Sequence, residues 1–326
     1  MKTLKGKKSW TILTALVLIL GLSASQAWAW GSATHTYIDD RLNRQGLGQK
    51  NPGEMYGGVA PDLFNYLFAP YQPYLYGQTH NDFFKVWEAA GPGRSSVNRA
   101  FAYGFVSHND LWGADVTAHH NGITFGQGEG YVIAKAKAMR TDLIDTFFAY
   151  TGIQLDEKVA MDLGHNFVEY GVDVLVKKLD GQVGAKMADA ALKRNPTFPA
   201  MLVQAYGDDV AAHLSISSKD AAQLILKAEQ SFRKTKIYEG QALMQDDAAA
   251  IARLAEELAD FAQAYLASFG VTLPPGVGRE QIVGLIEYFI GEAMLRCQDD
   301  FADELKETIA FVNTQLDTHG IAYGGQ

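Results

Sequence analysis

A chain of 326 residues with 48% apolar content is long enough to bury a sizeable core, and its formal charge of −9 argues against the broad basic face that general capture of DNA or RNA requires. Its single cysteine, Cys297, excludes an internal disulfide, so stability must come from packing and, where ligands allow, from metal.

The N-terminus carries Lys2, Lys5, Lys7 and Lys8, an apolar run from Trp10 to Leu22, and Ala27-Trp28-Ala29, the small-x-small pattern of a signal-peptidase site. The run falls short of the ~20 residues of a comfortable membrane span. Residues 1–29 therefore read as a cleaved secretory signal, which places the product in the periplasm or outside the cell. Cleavage removes four lysines and no acid, taking the charge from −9 to −13, and leaves residues 30–326 as one domain.

The processed chain would begin Trp30-Gly31-Ser32-Ala33-Thr34-His35. A free α-amino group and the carbonyl of Trp30 can chelate a metal in a five-membered ring, with His35 close enough to add a nitrogen. Proline and glycine cluster at Asn51–Gly58, Ala69–Gly77, Gly91–Gly93, Gly126–Gly130 and Pro274–Gly278, each expected as a turn. Asp62, after Pro61, and His80 would each alone be a cap or a solvated side chain. Between them the aromatic run Phe64–Tyr76 is expected either to pack as core or to form an apolar wall beside a ligand site.

The densest signal is His108-Asn109-Asp110-Leu111-Trp112-Gly113-Ala114-Asp115-Val116-Thr117-Ala118-His119-His120. On one continuous helix, His108, Asp115 and His119 would project from nearly the same side. Imidazole with carboxylate suits zinc better than calcium or magnesium, which prefer all-oxygen shells. Further on, His165 and Glu169 stand at i and i+4 in an apolar-periodic segment and so share a face. His213 and His319 lack ligand-spaced neighbours and are assigned to surface or core, and Cys297 to the core. Helical spacing recurs in Ile251, Leu254, Leu258, Phe261 and Tyr265, and in Phe301, Leu305, Ile309, Val312 and Leu316, while strand-like alternation is scarce. The expected fold is all-α, a single helical-bundle-like domain.

In order, Trp30, His35, Asp62, His80, His108, Asp115, His119, His165 and Glu169 resemble the ligand series of the trizinc superfamily of bacterial zinc-dependent phospholipases C and fungal single-strand nucleases. The resemblance runs from Trp30 to Glu169 and implies an all-α domain with three zinc ions at the bottom of a cleft. It implies that Asp62, His80, His108 and Asp115 hold one zinc, that Trp30, His35 and a bridging Asp115 hold a second, and that His119, His165 and Glu169 hold a third. Trp30-Gly31-x-x-x-His35 is spaced as in the nuclease branch, whereas Glu169 closing the last pair is more like the phospholipase branch. The family's central motif is His-x3-Asp-x5-His, but Trp112 stands where its aspartate belongs and Asp115 arrives three residues late. Either a helical bulge or a shifted turn must restore the geometry. Asp110 stays open as the bridge in place of Asp115, and His120 in place of His119, with Asp115 and His119 preferred because they lie four residues apart on one face.

The implied chemistry is phosphodiester hydrolysis by zinc-activated hydroxide, with Asp62 as the catalytic base beside the bridging water. The first expectation is a phospholipase C making transient contact with a membrane surface and releasing diacylglycerol and a phosphorylated head group. The alternatives are a single-strand nuclease or 3′-nucleotidase, and a non-catalytic metal-binding helical protein. No protein partner is implied. No Gly-rich phosphate loop, Gly-x-Ser-x-Gly elbow or Cys-His arrangement competes.

Overall fold

Helical periodicity runs through the residues described in the computed structural model, 30–42, 52–67, 72–91, 97–124, 128–151, 154–268 and 278–321, and no strand occurs among them. The all-α expectation is met. In chain order the helices are α1 (Ser32–Leu42), α2 (Pro52–Val59), a 3-10 helix (Ala60–Tyr66), α3 (Gln72–Asn81), α4 (Phe84–Ala89), α5 (Val97–His108) and α6 (Ala114–His119). They continue as α7 (Tyr131–Thr151), α8 (Glu157–Val176), α9 (Val183–Leu192), α10 (Thr197–Leu214), α11 (Ser218–Leu243), α12 (Asp247–Ser268), α13 (Arg279–Cys297) and α14 (Phe301–Thr318).

Two of the expected turns are helices. Pro52–Gly58 of the first forms most of α2, and Gln72–Gly77 of the second lies in α3, while Asn51 and residues 69–71 fall outside the described residues. In the first, glycine serves packing rather than turning. A Cβ on Gly57 would stand 2.1 Å from the carbonyl oxygen of Phe101, and one on Gly104 would stand 1.9 Å from that of Glu54, so α2 and α5 touch backbone to backbone. Pro52 opens α2, where its missing N–H costs nothing. At Gly91 the turn is present, with φ at 74°.

Caps set other boundaries. Asp156 accepts from the backbone N–H of Lys158 at the start of α8, and Ser217 from that of Asp220 at the start of α11. The main packed pairs are α2 on α5, α7 on α8, α9 on α11 and α13 on α8. Of the periodic stripes, Phe301, Leu305, Val312 and Leu316 of α14 and Leu254 of α12 are buried, each worth about 1.5–3 kcal/mol in apolar burial. No helix among the described residues is long and apolar enough to cross a membrane. The expected signal sequence, residues 1–29, lies outside the described residues, as do 68–71 of the aromatic run.

Candidate metal centre

The segment expected as one helix is two helices and a turn. α5 ends at His108, and α6 begins at Ala114. Helix gives way because Asn109 competes for the backbone: its Oδ1 accepts from the N–H groups of Leu111, Trp112 and Gly113 at 2.9, 2.9 and 3.2 Å. Gly113 closes the turn where a Cβ would stand 2.5 Å from the carbonyl oxygen of Ser107 and 2.6 Å from the nitrogen of Asn109. This turn, rather than a bulge in a continuous helix, carries the late aspartate back to His108.

Asp115 lies between histidines. Its Oδ1 is 3.1 Å from Nε2 of His35, and its Oδ2 is 2.9 Å from Nε2 of His108 and 3.5 Å from Nε2 of His80. His35 stacks on His108 with ring centroids 4.0 Å apart. Asp62, in the 3-10 helix, approaches His80 at 3.6 Å and His108 at 3.9 Å, and accepts from Asn65 at 3.2 Å. All five side chains are buried.

Backbone carbonyls fix the rings. Nδ1 of His108 lies 2.7 Å from the carbonyl oxygen of Gly58, and Nδ1 of His80 lies 3.0 Å from that of Tyr76. A carbonyl can only accept, so both Nδ1 atoms donate and both Nε2 atoms face inward, 3.1 Å apart. Two inward lone pairs among carboxylates call for a positive charge between them. Without metal, a proton supplies it: burial alone would lower His108, but Asp115 and Asp62 overrule it and lift the imidazole to about 9. Burial, with the charge of His108, pushes His35 down to about 4. Burial would raise Asp115, yet His108 and His35 hold it well below the usual carboxylate range, and His108 and His80 hold Asp62 low in the same way. Both ring nitrogens of His35 and both oxygens of Asp115 are buried without a hydrogen-bond partner, although nitrogen and oxygen stand close. Such donor atoms fit a metal ion better than they fit one another.

A second group adjoins the first. His165 and Glu169 share one face of α8, as their spacing requires, with Nε2 of His165 2.8 Å from Oε1 of Glu169. Nε2 of His119, at the end of α6, lies 3.1 Å from Nε2 of His165. Burial, with Asp62, Asp173 and Asp115 nearby, raises Glu169 well above the usual glutamate value. His120 turns away: its side chain is 60% exposed, 3.7 Å from Asp110. Asp110 accepts from Nδ1 of His119 at 3.2 Å and from the Tyr76 hydroxyl at 3.3 Å.

Trp30 is 1% exposed and its indole donates to Thr117 at 3.0 Å, which brings the start of the described chain against α6. Thr308 of α14 donates to the same Thr117 oxygen at 2.9 Å, and Glu304 of α14 accepts from the backbone N–H groups of Ile123 and Thr124 at 2.8 and 2.7 Å. From α8, Asp173 accepts from the N–H groups of Ala33 and Thr34 and the Thr34 hydroxyl, fixing the first turn of α1 and with it His35.

Asp173, Tyr76 and Thr117 were not legible as site residues, although His165, Glu169 and Asp173 run at i, i+4 and i+8 on one stripe. Of the aromatic run, Phe64 is core, and Tyr76 stacks on His80 at 3.6 Å. His213 stacks on Tyr74, His319 stacks on Trp112, and Cys297 is buried with its thiol pushed up to about 12 by burial.

The donors fall into overlapping groups able to hold a metal ion: His35, His108 and Asp115; Asp62, His80 and His108; His119, His165 and Glu169; and Asp110, His119 and His120, with donor atoms within 4.8 Å of one another in each. No family model, curated protein or solved structure matches the chain.

Proposed function

We propose that the chain is an exported zinc-dependent phosphodiesterase acting as a phospholipase C on phospholipids, with three zinc ions as its cofactor. The observation that carries the reading is Asp115, buried and without a hydrogen-bond partner, its two oxygens directed to His35 on one side and to His108 and His80 on the other, with His119, His165 and Glu169 adjacent. The all-nitrogen-and-carboxylate donor set supports zinc. When bound, zinc supplies an acidified water as nucleophile and neutralises the phosphate oxygens.

The chain's own residues do the rest. Asp115 links two donor groups. Asp62, held ionised, is available to accept the proton of the attacking water, with Asn65 fixing its orientation. Gly58 and Tyr76 hold His108 and His80 as Nδ1–H tautomers. Tyr76, stacked beside His80, supplies apolar surface for an acyl chain, and the acidic balance of the chain disfavours long polyanions.

A nuclease or 3′-nucleotidase is the second reading, favoured by the Trp30–His35 spacing. Zinc-loaded protein assayed on phosphatidylcholine and on single-stranded DNA separates the two. Release of phosphorylated head group, abolished by chelator, is expected. Cleavage of DNA without lipid turnover sinks the phospholipase reading, and absence of any phosphodiesterase activity at full zinc occupancy makes the centre structural.

A further inference from the structure

From the geometry we infer that Asp110 is a positioning residue that ties the two halves of the metal centre together, orienting His119 through its Nδ1 and locking it to the His80 helix through Tyr76. The inference rests on the metal-centre reading above and adds a residue to it. Asp110 lies in the turn Asn109–Gly113 that displaces Asp115 from its expected position. Its Oδ1 accepts from Nδ1 of His119 at 3.2 Å, and its Oδ2 accepts from the Tyr76 hydroxyl at 3.3 Å. Its backbone N–H donates to the carbonyl of His80 at 3.4 Å.

Tyr76 completes the link. Its ring lies on the face of His80, 3.6 Å between centroids and 17° from parallel, and its carbonyl accepts from Nδ1 of that same histidine. One carboxylate thus fixes a donor of the second group directly and a donor of the first through a tyrosine. An outer carboxylate on a ligating histidine selects the tautomer, holds the ring plane and raises the basicity of the other nitrogen. Here that nitrogen is Nε2 of His119, which faces His165 at 3.1 Å. Asp110 also approaches His120, but the 3.7 Å separation and the 60% exposure of that side chain make His120 a poor inner ligand.

The test compares Asp110→Ala, Asp110→Asn, Tyr76→Phe and His120→Ala with the native chain, by zinc competition against a chromophoric chelator and by nitrogen NMR of His119 in metal-free protein. Asp110→Ala should weaken one zinc about 10–100-fold, leave the others in place, and shift the His119 proton from Nδ1 toward Nε2. Asp110→Asn, which keeps an acceptor oxygen, should restore part of the affinity. Tyr76→Phe, which keeps the ring on His80, should give a smaller loss in the same direction, and it serves if Asp110→Ala does not fold. His120→Ala should change neither readout. If His120→Ala weakens the same zinc as strongly as Asp110→Ala, Asp110 and His120 ligate directly and the inference is wrong. It is also wrong if neither Asp110→Ala nor Tyr76→Phe moves zinc affinity or the His119 tautomer. A native chain that binds no zinc defeats the metal-centre reading instead, and the tautomer shift then decides the role of Asp110.

Discussion

Asp173 on α8 takes both the backbone N–H and the hydroxyl of Thr34, at 2.8 and 2.7 Å, one residue ahead of His35. The side chain caps a helix 139 positions away in sequence. Asp173→Ala would leave two buried N–H groups unsatisfied, and it is expected to destabilise the fold by about 3 kcal/mol. Because His35 follows directly, zinc stoichiometry should fall as well. Urea unfolding and zinc content together check this; unchanged values in both would show that α1 is held by its packing alone.

Stability without metal should depend on pH through His108. Its folded value, about 9, exceeds the ordinary 6.5, so its protonation contributes stability that is full below pH 6.5 and lost as pH rises through 9. His35 works oppositely and at lower pH: its folded value near 4 lies below 6.5, so it costs stability only as pH falls from 6.5 toward 4. The melting temperature in chelator should therefore decline between pH 6.5 and 9, and His108→Asn should flatten that decline. A bound metal ion, in place of the proton, should remove it from the native chain. A native profile as flat as that of the variant would count against the charge assignment.

Gly113 should tolerate no side chain. With a Cβ 2.5 Å from the carbonyl oxygen of Ser107, Gly113→Ala must open the turn that returns Asp115 to His108. A loss of about 1–3 kcal/mol is expected from overpacking, together with reduced metal content. Full zinc loading of a stable Gly113→Ala protein would mean that Asp115 reaches the centre by another route.

With Trp30 as the proposed first residue, one residue added ahead of it should weaken a single zinc and depress turnover, because it removes the free amino group implied as a ligand. Isothermal titration with zinc, alongside the lipid assay, reads both effects. Equal binding in the extended and native chains would remove Trp30 from the ligand set.

Cys297 should be inert in the folded protein. The thiol is buried and raised to about 12, so almost none is thiolate at pH 8. Ellman's reagent is expected to find no thiol in native protein and one per chain after denaturation, since the sequence holds a single cysteine. Rapid native labelling would contradict the packing of α13.

What could be read in advance follows from which interactions are local. The His165–Glu169 pair and the apolar stripe of α14 depend only on helical repeat, and both were legible. The break after His108 was not, because it depends on a side chain competing with the helix for three N–H groups, and hydrophobic periodicity carries no trace of that competition. Gly57 was expected in a turn for a related reason: glycine signals a turn or a close contact equally well, and only the facing helix, here at Phe101, decides which. Asp173 stood on the right stripe, but its partners, Ala33 and Thr34, lie at the other end of the site-bearing chain.

Thr117 meets Trp30 on one side and Thr308 on the other, while Glu304 holds the strand of chain that follows His119. The donors are thus gathered by the earliest and the latest described segments at once. A chain ending before Phe301 would keep every histidine of the centre and the Trp30 bond to Thr117, but would lose the bond from Thr308 to Thr117 and the hold of Glu304 on the segment after His119. The geometry of the donors therefore depends on a helix that lies far beyond the last of them in sequence.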